Sequence, residues 1–168
     1  SKTNVCFCPT TERDLADGIG PASALVGAGA MLALGSDSHV VIDLFEEARA
    51  VEHHERLVTA RRGLHRPGDL LAAATSGGAH SLGWTERDAR SGIQPGVSAD
   101  YIAISLDSVR LASFSAECAA SHIVYSASPA DVSDVWVGGG RIVEHGRHTR
   151  IEDVVGGLRN AIAQVVSI

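Results

Sequence analysis

A carboxylate and an imidazole directly follow a short apolar run in the first half of the chain. The run "MLALG" (31–35) leads into Ser36, Asp37, Ser38 and His39. In structures with parallel strands and helices, functional side chains lie at the carboxyl ends of the strands. A carboxylate in that place has three common roles: metal ligand, general base, or cap of the following helix. Two of these three roles would put Asp37 in an active site.

The capping role is already provided for by another aspartate. Asp43 precedes an amphipathic stretch and is followed three residues later by Glu46, the pattern of a capping box. Because Asp43 can cap the helix after the strand, a chemical role is favoured for Asp37, and a plain loop carboxylate stays open as the alternative.

Polar residues also follow the first apolar run of the chain. Thr10, Thr11 and Glu12 come after Val5–Cys8, on a segment predicted as a loop. The carboxyl ends of parallel strands open on one edge, so this segment and Asp37 should share a rim. Two interpretations stay open, contact with a substrate and simple solvation.

The histidines do not complete a metal site by spacing. His53 and His54 are adjacent on a predicted helix and point about 100° apart, so they cannot hold one ion together. His80 is predicted as a core residue beneath a glycine-rich helix. The chain has no HxH or HExxH pair, no GxSxG elbow and no Walker loop. The others are predicted as surface residues or have no partner by spacing: His65, His122, His145 and His148.

The cysteines favour a reducing compartment. Cys6, Cys8 and Cys118 are an odd number and form no disulfide framework, which predicts a cytoplasmic protein. Cys6 and Cys8 are two apart in a predicted strand and so point to the same face. With no second CxxC or CxH element, they are interpreted as small packing residues rather than metal ligands.

Composition bounds the class of protein. The chain has 168 residues, a formal charge of −6 and 45 % apolar residues, enough for one sizeable core or two small ones. The mild acidity and the scattered basic residues argue against nucleic acid as a partner. No apolar stretch has the length of a membrane span, and the start lacks the features of a signal peptide. Because the chain begins almost inside a strand, we expect it to be part of a longer protein.

Alternating strands and helices must position the rim residues. The double glycine Gly77-Gly78 lies inside a predicted helix and is unfavourable there by about 1 kcal/mol per residue, so we expect close packing against a neighbour as compensation. The boundary between an α/β piece, 1–83, and a β-rich piece with a terminal helix, 84–168, is predicted near residue 83. The predicted elements are strand Val5–Cys8, loop 10–20, helix Pro21–Ala28, strand Ala30–Leu34, helix 43–62 ended by Gly63, helix 67–83, strand Asp100–Leu106, a hairpin of Val135–Val137 and Arg141–Val143, and helix Ile151–Val166.

Longer motifs resemble a known family. The runs "CPTTERDLADGI", "LALGSDSHVVIDLFEEAR" and "ERLVTARR" are similar to the C-terminal portion of the amidohydrolase superfamily, and within it to the formimidoylglutamate deiminases. "GGAHSLGW", "GIQPGVSADYIAISLD" and "VSDVWVGGGRIVEHGRH" continue the similarity to the last helix. Two positions depart from the family pattern: Gly20 stands where an aromatic residue is common, and His53 where a tyrosine is common.

The resemblance implies an α/β fold that is incomplete in this chain. Residues 1–83 would be the last strands and helices of a metal-dependent (β/α)8 TIM barrel, beginning at its seventh strand. Residues 84–168 would supply the C-terminal share of a small β-sandwich and a terminal helix. The family holds its metal with an HxH pair, a histidine of the fifth strand and an aspartate of the eighth. Only the aspartate is present, as Asp37, so the missing N-terminal part of the barrel is an expected partner.

The resemblance also implies an activity. The complete enzyme would hydrolyse N-formimino-L-glutamate to N-formyl-L-glutamate and ammonia in histidine degradation, using zinc or another divalent metal, one per subunit. Asp37 would hold the metal and relay a proton from the attacking water. His39, Thr11 and Glu12 would bind the substrate or lie next to the metal-binding aspartate. The enzyme would be a cytoplasmic homodimer without membrane or nucleic-acid partners.

Two alternatives remain open after the resemblance. The first is a related deaminase or chlorohydrolase that acts on a ring substrate. The second is an inactive interaction piece whose open barrel edges need a partner. In either enzymatic case, we expect the isolated chain to be inactive.

Overall fold

The computed structural model describes residues 3–84 and 92–166, and the chain divides into two compact units. The first unit contains residues 1–97 and 106–129, and the second contains 98–105 and 130–168. Residues 1–2, 85–91 and 167–168 lie outside the described residues, and with them part of the predicted piece 84–168, including the first residue of its predicted turn, Ser91.

The first unit contains a two-stranded parallel sheet. Strands β1 (Asn4–Phe7) and β2 (Met31–Leu34) pair with Phe7 opposite Leu34. The two predicted parallel strands are confirmed, with ends that differ by at most one residue. The Gly35 amide continues the ladder by donating to the Phe7 carbonyl oxygen at 3.1 Å. Within the described ranges, β1 and β2 pair only with each other.

Helices cover the face of the strand pair that carries Phe7. The core between the layers consists of Phe7, Ala22, Ala48, Val51, Leu70 and Val124. The helices are α1 (Pro9–Asp14), α2 (Ala22–Gly27), α3 (Leu44–Thr59), α4 (Pro67–Ala72), α5 (Gly78–Ser81) and α6 (Ala119–Ser126), with a π-helical turn at Ala73–Gly77 and a 3-10 turn at Ala116–Cys118.

The predicted loop after β1 is wrong over its first part, because residues 9–14 form α1. Pro9 does not merely end the strand: it occupies the first helical turn, where its fixed φ and missing N–H are favourable. The Glu12 carboxylate accepts a hydrogen bond from the Cys8 amide at 2.9 Å, which satisfies a donor at the helix start. Thr10, Thr11 and Glu12 are therefore fixed on a helix.

The N-terminal cap of α3 is confirmed, whereas its predicted end is wrong. The Asp43 carboxylate accepts hydrogen bonds from the amides of Phe45 and Glu46 at 2.9 and 3.1 Å. The helix ends at Thr59 rather than near residue 62, because Ala60 adopts a left-handed backbone with φ of 54°. The next residues turn back, and the Gly63 amide donates to the Glu52 carboxylate at 2.6 Å.

The buried residues of α3 include charged side chains. Ala48 and Val51 are buried, whereas Leu44 and Val58 are exposed. Carboxylates take buried positions instead: Glu47, Glu52 and Glu55.

The glycine-rich helix follows the prediction closely. From Pro67 to Ser81 the chain is helical throughout, with the π-helical turn over Ala73–Gly77. A Cβ on Gly77 would lie 2.5 Å from the Leu32 carbonyl oxygen, so the helix touches the backbone of β2 at this point. The expected close packing is confirmed at Gly77, whereas a Cβ on Gly78 would make only an ordinary contact, 3.7 Å from the Ala73 carbonyl oxygen.

Gly20 is explained by the same kind of contact. A Cβ on this residue would lie 2.2 Å from Cε1 of Phe7. The Phe7 ring thus occupies the space beside residue 20, and only glycine fits there without a shift of that ring.

The second unit is an antiparallel sheet with a helix. Its strand order is β3 (Tyr101–Ile104), β4 (Val132–Val137), β5 (Gly140–Glu144) and β6 (Arg147–His148), followed by α7 (Val154–Val166). The predicted strand and hairpin are confirmed. Helix α7 begins after residue 151 because the Asp153 carboxylate accepts from the Gly156 amide at 2.8 Å at its start. None of the helices that the structure describes is long and apolar enough to cross a membrane.

The two units divide the chain at places other than the predicted boundary near residue 83. Helix α6 was not predicted; it belongs to the first unit because Val124 is part of the core and Arg49 of α3 donates to the Val124 carbonyl oxygen at 2.9 Å. The segment 106–129 therefore returns to the first unit, and only residues 98–105 and 130–168 form the second.

Candidate active site

Asp37 lies in a tight turn at the carboxyl end of β2. The turn 36–39 is closed by a hydrogen bond from the His39 amide to the Ser36 carbonyl oxygen at 3.0 Å. Asp37 is exposed, and its backbone is left-handed with φ of 46°. Aspartate tolerates this conformation better than most residues, although it is less favourable than a right-handed one.

The Asp37 carboxylate has no hydrogen-bond donor among residues 3–84 and 92–166. The helix cap that might have used it comes from Asp43 instead. An exposed carboxylate that accepts no hydrogen bond from the described residues is a suitable oxygen ligand for a divalent ion such as zinc. The residue present therefore fits the role of one metal ligand.

Thr11 is tied to both ends of this turn. Its hydroxyl donates to the Ser36 carbonyl oxygen at 2.6 Å and accepts from the His39 amide at 3.0 Å. Thr11 is 3 % exposed, so this hydroxyl lies inside the protein. Its hydrogen bonds connect α1 to the turn 36–39.

The His39 ring is held close to the rim by two neighbours. Its Nε2 lies 3.3 Å from a carboxylate oxygen of Asp14, and its Nδ1 lies 3.2 Å from the Val41 amide. Both ring nitrogens face protein groups, so His39 borders the turn without directing a free nitrogen at Asp37. Its assignment to substrate binding stays a prediction, as do those of Thr11 and Glu12.

Cys6 and Cys8 lie on the face of β1 opposite the helices. A Cβ on Gly35 would lie 3.3 Å from the Cys8 sulfur and 3.6 Å from the Cys6 sulfur, so both thiols point to one side as predicted. Burial and the neighbouring Cys6 thiol raise the pKa of Cys8 to about 12. Cys8 is therefore a neutral thiol at neutral pH and a poor nucleophile.

A buried carboxylate behind the rim was missed by sequence reasoning. Glu47 of α3 is 0 % exposed and accepts a hydrogen bond from the Thr10 amide at 3.0 Å and another from the Thr10 hydroxyl. Burial raises the pKa of Glu47, and the Thr10 hydrogen bonds oppose that shift. Glu47 thus fixes the first turn of α1 to α3.

A second buried carboxylate holds the loop after α3. Glu52 is 0 % exposed and accepts from Arg56 Nε at 2.8 Å, from the Gly63 amide at 2.6 Å and from the His65 amide at 2.8 Å. Burial alone would raise the pKa of Glu52, but these hydrogen bonds outweigh it and the pKa is lowered.

His65 has a partner that its spacing did not suggest. Its Nε2 lies 2.7 Å from a carboxylate oxygen of Glu55, whose other oxygen accepts from the Ser23 amide and hydroxyl. The signal that might have indicated these residues is the i, i+4 spacing of Glu47, Val51 and Glu55 on one helix face.

The structure gathers no complete metal site in the described part of the chain, since no three His, Cys, Asp or Glu side chains converge there. His53 stacks on Tyr125 at 5.7 Å between ring centroids, and burial lowers the pKa values of His53 and His54. The predicted core position of His80 is wrong, because this residue is exposed at the last turn of α5.

Known proteins are similar to this chain in sequence. The sequence profile of the amidohydrolase family matches residues 1–143. Formimidoylglutamate deiminase of Pseudomonas aeruginosa is 33% identical over 149 residues, which are 84% of this chain and 32% of that protein. A 5-methylthioadenosine/S-adenosylhomocysteine deaminase of Teredinibacter turnerae is 32% identical over 147 residues, 86% of this chain and 32% of the relative. The chain thus spans about a third of the length of these curated relatives.

Solved structures share the fold. An adenosine deaminase from Xanthomonas campestris with bound zinc superimposes with a TM-score of 0.82 at 26% identity, over 98% of this chain and 38% of that one. The atrazine chlorohydrolase of Arthrobacter aurescens, in complex with zinc, gives a TM-score of 0.77 at 20% identity, over 98% and 36%. The second similarity concerns the fold alone.

Proposed function

Because the chain belongs to the amidohydrolase family, we propose that it carries the aspartate ligand of a metal-dependent hydrolase acting on C–N bonds. One observation supports this assignment above the others. The Asp37 carboxylate stands exposed at the carboxyl end of β2, and Asp43, not Asp37, caps the helix that follows. A carboxylate in that place is free to hold an ion.

We propose that the chain supplies the last strands of a (β/α)8 barrel. The parallel pairing of β1 and β2, and the helices that cover one of their faces, support this assignment. The missing N-terminal part of the barrel would pair with these strands and bring the other metal ligands. The antiparallel strands β3–β6 would form the C-terminal share of a small β-sandwich.

We propose N-formimino-L-glutamate as the substrate, in the pathway of histidine degradation. The support is the 33% identity to the Pseudomonas aeruginosa formimidoylglutamate deiminase. In the reaction, water adds to the formimino carbon and the C–N bond to the terminal imino nitrogen breaks. The products are N-formyl-L-glutamate and ammonia, so atoms and protons balance with water as the only co-substrate.

Asp37 has two tasks in this mechanism. One carboxylate oxygen would hold the divalent metal, and the other would accept a proton from the attacking water and pass it toward the leaving nitrogen. The metal, one per subunit, supplies Lewis-acid activation of water at neutral pH when bound. His39 and Glu12 would border the substrate at the rim.

A ring deaminase is the second candidate function. The observation that favours it is the 32% identity to a 5-methylthioadenosine/S-adenosylhomocysteine deaminase, over a similar share of the chain. Asp37 would have the same tasks in such an enzyme, so the metal ligand does not separate the two reactions.

A substrate panel separates the two candidates. We expect the full-length, zinc-loaded protein to release ammonia from N-formimino-L-glutamate with a higher kcat/KM than from adenosine, 5-methylthioadenosine or S-adenosylhomocysteine. Faster turnover of a purine nucleoside would overturn the linear substrate. An Asp17→Asn variant, which changes another exposed carboxylate, should leave the order of substrates and the rates unchanged.

The isolated chain tests the assignment to part of a barrel. We expect residues 1–168 alone to release no ammonia from any member of the panel. Turnover by the isolated chain would contradict the need for ligands from outside it. Turnover by neither the isolated chain nor the full-length protein would favour the inactive interaction piece.

A homodimer and a cytoplasmic location complete the proposal. The thiols of Cys6, Cys8 and Cys118 are free, which supports a reducing compartment. Light scattering of the full-length protein tests the dimer: we expect a molar mass twice that of one subunit.

A further inference from the structure

Asp37 needs a constraint on its backbone to be useful as a ligand. A left-handed φ of 46° is less favourable than a right-handed backbone for any residue other than glycine. Such conformations persist when the surrounding structure fixes them. The turn 36–39 has one internal hydrogen bond, from the His39 amide to the Ser36 carbonyl oxygen.

Thr11 supplies the additional constraint from outside the turn. Its hydroxyl donates a hydrogen bond to the Ser36 carbonyl oxygen at 2.6 Å and accepts one from the His39 amide at 3.0 Å. These two groups flank Asp37 on either side. One buried atom therefore fixes both ends of the segment that carries the carboxylate.

Thr11 is itself held rigidly. It is 3 % exposed and lies in the first turn of α1. On one side of it, Thr10 is bound to the fully buried Glu47, and on the other, Glu12 accepts from the Cys8 amide at 2.9 Å. The hydroxyl thus fixes the position of the turn 36–39 relative to β1 and α3.

We propose that Thr11 is a positioning residue, which sets the direction of the Asp37 carboxylate through the turn 36–39 rather than by binding substrate. This inference rests on the proposed role of Asp37 as a metal ligand. Partners that orient a metal ligand typically change metal affinity by 10–100-fold when they are removed.

The test compares two adjacent threonines in the full-length protein. Thr11→Val keeps the shape of the side chain and removes the hydroxyl, whereas Thr11→Ser keeps the hydroxyl. Thr10→Val is the matched control, because Thr10 is equally buried on the same helix turn but binds Glu47 instead of the turn 36–39. The readouts are the zinc dissociation constant from chelator competition and the Tm of the metal-free protein.

We expect Thr11→Val to weaken zinc binding about 10–100-fold. Thr11→Ser should keep a zinc dissociation constant within about threefold of that of the original protein. Thr10→Val should lower the Tm while leaving zinc affinity within about threefold of the original. Unchanged zinc binding in Thr11→Val would overturn the inference. Equal weakening by Thr10→Val would also overturn it, since the effect would then come from a general disturbance of α1.

The result also separates this inference from the proposed function. An original protein that binds no metal would contradict the assignment of Asp37 and, with it, the role of Thr11. Metal binding and ammonia release that persist unchanged in Thr11→Val would contradict the role of Thr11 alone.

Discussion

The turn 36–39 and the buried face of α3 both present carboxylates, and they place them in opposite surroundings. Asp37 is exposed and has no donor among the residues that the structure describes, while its backbone is held from both sides by Thr11. Glu47 and Glu52 are fully buried; Glu47 accepts two hydrogen bonds and Glu52 accepts three. In the turn the backbone is fixed and the side chain is free; on α3 the side chains themselves are fixed.

Under the proposed role of Asp37, this difference separates a carboxylate for chemistry from carboxylates for structure. A buried charge persists only when hydrogen bonds replace its lost hydration. Those same bonds prevent it from binding anything else. The pKa of Glu52 is lowered by its donors despite burial, whereas burial raises the pKa of Glu47. The two glutamates should therefore respond differently to loss of charge.

The largest effect on stability is expected at Glu52. In Glu52→Gln, an NH2 group replaces one of the two oxygens that together accept from three donors. At least one donor loses its acceptor and Arg56 loses its anionic partner, so the free energy of unfolding should fall by about 2–4 kcal/mol at neutral pH. The folded pKa of Glu52 lies below its unfolded value of 4.5, so its charge stabilises the protein above that pH, and the contribution is lost as the pH falls through the folded pKa. The loss of unfolding free energy in Glu52→Gln should therefore become smaller as the pH falls.

Urea denaturation of the full-length protein at pH 7 and pH 4 measures this effect. Glu117→Gln is the control, because Glu117 is exposed and should change the free energy of unfolding by less than about 0.5 kcal/mol. A loss at Glu52 as small as that at Glu117 would contradict the structural role given to the α3 carboxylates.

A smaller effect is expected where the helical layer touches β2. Gly77→Ala places a Cβ 2.5 Å from the Leu32 carbonyl oxygen, a backbone atom that cannot move alone. We expect a loss of about 1–3 kcal/mol in the free energy of unfolding.

Gly78→Ala is the matched control for this contact. Its nearest neighbour would be the Ala73 carbonyl oxygen at 3.7 Å, an ordinary distance. Alanine there should stabilise the helix by about 0.5–1 kcal/mol. Equal effects of the two alanines, measured by thermal unfolding, would mean that β2 and the helix are not in tight contact at Gly77.

The smallest effect is expected at Glu47. Its folded pKa lies above the unfolded value of 4.5, so the wild-type protein loses stability at this residue as the pH rises through the folded pKa. In Glu47→Gln the amide oxygen can accept from the Thr10 amide and the NH2 can donate to the Thr10 hydroxyl. We expect the variant to be within about 1 kcal/mol of wild type at neutral pH.

The pH dependence distinguishes Glu47 from Glu52. Relative to wild type, Glu47→Gln should become more stable between pH 5 and pH 8, when both are measured by urea denaturation. A relative loss of stability over that interval would show that Glu47 is a stabilising charge like Glu52, and the two glutamates would then be equivalent.

Local signals allowed much of the fold to be predicted. The apolar runs of β1 and β2 and the cap at Asp43 depend on residues near one another in the sequence, and the double glycine at 77–78 is itself a local signal of close packing. The sequence does not predict helix α1, because Pro9 fits both the end of a strand and the start of a helix, and Glu12 fits a loop as well as the first turn of a helix.

The missed parts of the site depend on distant partners. Glu47 is buried because Thr10, 37 residues away, donates to it, and no periodic pattern connects the two. Thr11 and Ser36 are 25 residues apart, so the fixation of the Asp37 turn was not visible in the sequence. The position of Asp37 itself was predictable, because the end of an apolar strand is a local feature.

Zinc binding by Asp37→Asn in the full-length protein tests the central claim most directly. Asparagine tolerates the left-handed backbone at this position, so the turn should persist and the Tm of the metal-free protein should not change. We expect the original protein to bind one zinc per subunit, and the variant to bind it at least about 100-fold more weakly, with a matching loss of ammonia release. Zinc affinity equal to that of the original protein would contradict the assignment of Asp37 as a metal ligand.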